Sequence, residues 1–195
     1  MSEQIFPASQ LPATPKGTSR ARRVMRVAAT LVASCIVILF VGAVVLSAVS
    51  IRFFVEGTGM VPTLHAGEFL FVLRTNFLGV QLDRGDIVLL HPSGSASNEP
   101  PHFKRIIGVP GDTVEIRDTR VFVNGTALSE PYINEPCLPT HCENQSWVMD
   151  ANEFFVLGDN RNHSSDSRLF GPVNRDLITG KAFFRYWPIE ALGFI

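Results

Sequence analysis

Catalytic signatures are what this 195-residue chain has least of. It contains no G-x-S-x-G elbow, no H-E-x-x-H pair and no S-x-x-K, which removes three widespread hydrolase layouts. The histidines His65, His91, His102, His141 and His163 are scattered without metal-ligand spacing, so a surface or polar-network role is the default for each. No internal repeat is visible. Cysteine is scarce at three residues, and neither sign of charge is in excess, the formal net charge being −1.

One further absence is local. From Val27 to Ile51, VAATLVASCIVILFVGAVVLSAVSI runs for 25 residues without an ionisable side chain. A bilayer span takes ~20 apolar residues, so this run crosses with some tilt. Cleavable leaders have apolar cores of only about 7–15 residues, so the segment reads as a retained anchor. A wholly buried soluble helix is the competing reading, and the length disfavours it. Ahead of the run, Lys16, Arg20, Arg22, Arg23 and Arg26 stand against a single acid, Glu3. Basic residues stay on the cytoplasmic side, which predicts an inside N-terminus with everything after Arg52 outside. Topology accounts for these arginines, and no nucleic-acid partner is needed to explain them. Three segments are therefore expected: residues 1–26 as a basic, disordered tail, 27–51 as the transmembrane anchor, and 52–195 as an extracytoplasmic domain.

The cysteines fit that layout. Cys35 falls inside the span and reads as a small apolar residue. Cys137 and Cys142, in PCLPTHCEN, fall on the oxidising side and suit a disulfide, worth about 2 kcal/mol for so short a loop. A zinc site from Cys137, His141 and Cys142 is the alternative, and it lacks a fourth ligand at a familiar spacing.

After Arg52 the pattern is one of strands and turns. Segments 69–77, 86–91, 103–109, 113–118, 153–157 and 182–187 are short, rich in Val, Ile and Phe, and bounded by Gly, Pro and Asn-Gly. RVFVNGTAL (120–128) is the clearest hairpin, because Asn124-Gly125 suits the positive φ angles of a two-residue turn. Pro110-Gly111-Asp112 marks another turn, and 91–101 reads as a flexible surface loop. No long soluble helix is indicated. The fold class is mainly β: an N-terminal transmembrane helix followed by one antiparallel β domain.

Two stretches carry unusual chemistry. In FKRIIGVPGD (103–112), Lys104 sits inside an apolar strand, sharing one face with Ile106 while Phe103 and Arg105 share the other. A buried lysine loses proton affinity and can act as a general base near neutral pH. On this stretch alone, a lysine snorkelling to solvent is the simpler reading. In VLGDNRNHSSDSRLFG (156–171), Asp159, Asn160, Arg161, Ser164, Ser165, Asp166, Ser167 and Arg168 crowd one turn-rich segment. Either it is a solvated loop, or its Asp, Arg and Ser groups satisfy one another and hold a catalytic residue.

Together, VEGTGMVPTL, GDIVLLHP, KRIIGVPGD and GDNRNHSSDSRLFG, in this order behind an anchor, resemble the type I signal peptidases from the anchor to the C-terminus. The resemblance implies a Ser/Lys-dyad peptidase with a β domain lying against the outer face of the membrane. Such an enzyme removes signal peptides, with small residues at −1 and −3, from secretory preproteins, and uses no cofactor or metal. Lys104 matches the general base, and Ser164 the serine that orients it. Asp159, Arg161, Asp166 and Arg168 match a supporting network. Val55, Met60, Leu64 and Phe103 match the pockets for small side chains. His163 falls where the family more often has asparagine. Phe53, Phe54 and Trp187 are candidates for interfacial contact with the lipid bilayer.

The nucleophile position holds Gly59 instead of serine. Without the hydroxyl, this chain is expected to be inactive or strongly impaired, since losing a nucleophile costs about 10⁶ in kcat in a well-studied serine peptidase. Thr58 is a poor substitute, because its side chain points away from Lys104 if position 59 points toward it. The alternative is a pseudopeptidase that binds preproteins without cutting them.

Overall fold

The computed structural model describes residues 18–75, 79–91 and 100–195, which form two units, one up to Leu46 and one from Ser47 to Ile195. The first is essentially one helix, α1 (Thr18–Val49). Its apolar residues are exposed on every side, as in a helix solvated by lipid rather than packed in a core. At 1.5 Å per residue, its 30 residues from Arg20 to Val49 exceed the ~30 Å of a hydrocarbon core.

Two boundaries differ from those read in the sequence. Helix α1 runs back through the arginine cluster, so residues 18–26 are helical rather than disordered. Arginine and alanine are good helix formers and extend a helix that the apolar run has already nucleated. At the other end Ser50 and Ile51 leave the helix and open strand β1 (Ser50–Phe54). Lys16 and Glu3 lie outside the described residues.

The second unit contains two antiparallel sheets. The larger is built from β1, β2 (Phe69–Arg74), β3 (Ile87–Leu90), β4 (His102–Gly108), β9 (Glu153–Leu157), β10 (Val173–Asn174), β11 (Ile178–Trp187) and β12 (Gly193–Phe194). Its order is β1-β2-β11-β3-β4-β9-β10, with β12 paired to β11. The smaller comprises β5 (Thr113–Arg117), β6 (Arg120–Val123), β7 (Thr126–Ala127) and β8 (Gln145–Val148), in the order β7-β6-β5-β8. The β6–β7 connection is the Asn124-Gly125 turn, both residues at positive φ. A single turn of helix, α2 (Ser167–Phe170), is capped by the Asp166 carboxylate.

Strands β3 and β9 have almost every residue buried, because they lie in the interior of the larger sheet. β3 pairs with β4 and places Val88 opposite Lys104, while β9 places Val156 opposite Ile106. Lys104 is thus a residue of a central strand. The segment expected to be strand as far as 77 ends its pairing at Arg74, and residues 76–78 lie outside the described residues. So do residues 92–99, which hold most of the expected surface loop.

Candidate active site

The turn carrying Gly59 closes with a bond from the Val61 N–H to the Thr58 carbonyl. The 158–163 segment then grips it. The Asn160 N–H donates to the Gly59 carbonyl at 3.0 Å, and the Asn160 amide donates to the Thr58 carbonyl at 3.1 Å. Gly158 lies directly beneath: a Cβ there would stand 2.5 Å from the Gly59 carbonyl oxygen and 2.2 Å from Ser164 Oγ. Only a residue without a side chain lets the two loops approach this closely.

Lys104 and Ser164 meet at this turn. A Cβ on Gly59 would sit 3.6 Å from Lys104 Nζ, 3.6 Å from Ser164 Oγ and 3.7 Å from the His163 carbonyl. These are ordinary van der Waals distances, so position 59 has room for a side chain aimed at the lysine. Lys104 is 6% exposed. Burial depresses its pKa below the usual lysine value, with Asp166 pulling it up and Arg168 pushing it down. Ser164 Oγ is buried with no hydrogen-bond partner, the only such side-chain atom among the described residues.

The charged residues of the 156–171 stretch do not form one self-contained network. They divide into three groups, one paired within the stretch and two tied to partners outside it. Asp166 and Arg168 pair with each other through two N–H···O bonds of 2.8 Å, and Asp166 also accepts the Gly158 N–H at 3.0 Å. Asp159 instead takes a two-pronged pair from Arg105 and a bond from the Thr63 hydroxyl. Arg161 reaches Glu130 with both terminal nitrogens and the Gly158 carbonyl with Nε. Arg105, whose guanidinium also stacks 4.1 Å over Tyr132, and Glu130 were not visible as site residues in the sequence. Only their alternation and charge could have marked them. Ser167 serves the fold, accepting the Val156 N–H at 3.0 Å.

A cleft of about 340 Å³ opens over the turn, lined by Val55, Met60, Phe103, Lys104, Ser164 and the Gly57–Gly59 backbone. Leu64 does not reach it. It is buried behind Val55, Met60 and Phe103 in the core they share. Phe53 likewise turns inward, packing edge-on against Phe103 at 5.6 Å, whereas Phe54 and Trp187 are exposed. Cys137 and Cys142 are joined in a disulfide, with Cα atoms 6.0 Å apart. Arg168 Nη1 donates to both sulfurs, at 3.3 and 3.4 Å. No cluster of three or more His, Cys, Asp or Glu among the described residues could hold a metal ion.

An exposed apolar helix, an antiparallel β unit and a cleft where lysine and serine converge define a class of membrane-anchored peptidase. Residues 25–187 match the family described as signal peptidase, peptidase S26. The chain is 36% identical over 167 residues to signal peptidase I of Leptolyngbya laminosa, covering 78% of this chain and 79% of that one. To signal peptidase IB of Staphylococcus aureus (strain COL) it is 36% identical over 152 residues, 70% and 77% of the two chains. A solved signal peptidase I from Enterococcus faecalis V583 is 34% identical, covering 52% of this chain and 97% of that one with a TM-score of 0.44. This chain belongs to the peptidase S26 signal peptidase family.

Proposed function

We propose that this chain is a membrane-anchored signal peptidase I site deprived of its nucleophile, which holds the cleavage region of secretory preproteins but cuts them weakly or not at all. Lys104 is the general base, position 59 is where the attacking hydroxyl belongs, and Ser164, whose buried Oγ makes no hydrogen bond in this glycine form, stands beside both to orient the lysine once a hydroxyl is present. One observation carries the reading: a side chain at Gly59 would enter unstrained space 3.6 Å from both Lys104 Nζ and Ser164 Oγ. The apolar wall of Val55, Met60 and Phe103 suits the small side chains at −1 and −3 of a signal-peptide cleavage site. Asp166 and Arg168 act as positioning residues for the dyad, while Asp159 and Arg161 hold the loop that grips the glycine turn. Residues 27–49 form the anchor, the arginine-rich flank keeps the N-terminus cytoplasmic, and the β unit works on the outer face. Exposed Phe54, Trp187, Ile189 and Phe194 supply apolar contacts to the bilayer.

With serine at 59, the hydroxyl proton passes to neutral Lys104 as oxygen attacks the scissile carbonyl, and the ammonium then protonates the leaving amine. With glycine, the base remains but has no hydroxyl to activate. The test is cleavage of a preprotein carrying small residues at −1 and −3 by the full chain and by its Gly59→Ser variant, in detergent. The serine form should cut faster by several orders of magnitude, up to about 10⁶. Its rate should fall as pH drops through the depressed pKa of Lys104, because protonation removes the base. Equal rates for the two forms would transfer the nucleophile's role to another residue. If the serine form binds preprotein but does not cut it, the pseudopeptidase reading replaces this one.

A further inference from the structure

A second cleft shares Ser164 with the first and has no part in the chemistry described above. Ile116 and Trp147 of the smaller sheet and Leu169 of α2 give it apolar walls, exposed Glu143 and Gln145 form its rim, and Ser164 and Arg168 line its end nearest the dyad. Ser164 therefore lines both clefts. The pocket side groups Val55, Met60 and Phe103 belong to the first cleft alone, and Ile116, Trp147 and Leu169 to the second alone.

We propose that the second cleft binds the mature-side segment of the preprotein, the residues just after the scissile bond, in extended form along β8. Resting on the proposed function above, the assignment follows from continuity. A peptide whose −1 and −3 side chains lie in the first cleft passes the dyad at Ser164, the residue that also lines the second cleft. The local architecture suits an extended chain. Among the described residues β8 is an edge strand, paired with β5 alone, where Gln145 faces Ile116 and Trp147 faces Val114. An edge strand offers main-chain groups to an incoming strand, and alternate side chains then enter pockets on one face.

The lining also sets a preference. Ile116 and Trp147 provide an apolar floor, and Leu169 stands 76% exposed at its mouth. The Arg168 guanidinium is already engaged by Asp166, the disulfide sulfurs and two carbonyls, so it is not available to an acidic residue. Exposed Glu143 is the rim charge and favours a basic residue over an acidic one. The occupant is thus a short segment with an apolar side chain and a basic neighbour.

The glycine at 59 allows binding to be measured without turnover. Two peptides identical up to the scissile bond are compared on the full chain in detergent, one ending at +1 and the other continuing for four residues with an apolar and a basic side chain. Binding is read by competition and by Trp147 fluorescence, with Trp187→Phe removing the second tryptophan. The longer peptide should bind roughly tenfold more tightly, corresponding to 1.4 kcal/mol, and perturb Trp147. Leu169→Ala and Gln145→Phe, both at exposed positions, should erase the gain and leave the short peptide's affinity unchanged. Equal affinities for the two peptides, or a gain that survives both substitutions, overturns the assignment while leaving the first cleft intact. If the short peptide fails to bind, the proposed function falls with it.

Discussion

On the proposed reading, position 59 lacks one hydroxymethyl group, and the space a Cβ would take there lies open beside Lys104 and Ser164. A glycine turn freed from catalysis has no physical need for a desolvated lysine 3.6 Å from where its Cβ would lie, nor for a serine hydroxyl buried without a partner. The neighbouring glycine has the opposite character. At Gly158 an added Cβ meets backbone, the Gly59 carbonyl oxygen at 2.5 Å, as well as Ser164 Oγ at 2.2 Å. Backbone cannot rotate away, so Gly158→Ala should push the two loops apart. We expect a loss of about 1–3 kcal/mol in stability. In a Gly59→Ser background it should also cost at least tenfold in kcat with the protein still folded, read by thermal unfolding and preprotein cleavage together. Unchanged kcat in that background would show that the grip of the 158–163 segment does not position the dyad.

At the scale of elements, what was legible in the sequence was periodic or punctuated. The anchor, the Asn124-Gly125 hairpin and the inner strands announce themselves by apolar length, turn residues and Val/Ile/Phe runs. β1 was hidden because Ser50 and Ile51 continue the apolar run of the helix, and β8 because QSWV is an exposed, largely polar edge. Strands β10 and β12 are two residues each, too short for any pattern. Lys104 could be picked out as a charge inside an apolar strand. Its neighbour Arg105 could not, because its meaning lies in a carboxylate 54 residues away, at Asp159. The same limit hid the reach of the disulfide. Arg168 ties both sulfurs to Asp166 and to the Ser164 carbonyl, so the five-residue link between Cys137 and Cys142 buttresses the segment that carries the site. Replacing both cysteines by serine should lower stability by about 2 kcal/mol. It should also weaken peptide binding in the first cleft several-fold through Arg168, measurable by competition. A stability loss with unaltered binding would confine the disulfide to a purely structural role.

For the whole molecule, the cost of keeping Lys104 inside the larger sheet should be visible in how stability varies with pH. The folded-state pKa lies below the ordinary lysine value of 10.5, mainly because burial disfavours the ammonium. Between that lowered value and 10.5, the unfolded chain binds a proton that the folded chain has given up. Stability must therefore rise with pH across this window. Below the folded-state pKa both states are protonated, and the fold carries the full penalty of a buried charge, which Asp166 offsets only in part. Lys104→Met fills the same space without a charge. It should stabilise the β unit most at and below the folded-state pKa, progressively less as pH rises, and little near the top of the window. Thermal midpoints of the full chain and the Lys104→Met variant, taken in detergent across a series of pH values, give the difference directly. A difference that does not change with pH would mean that the ammonium is solvated in the folded state, and Lys104 would then be too strongly protonated near neutrality to serve as a base. A difference that shrinks with rising pH would show that the fold sacrifices stability to keep a neutral amine beside position 59, where only a hydroxyl is needed to make use of it.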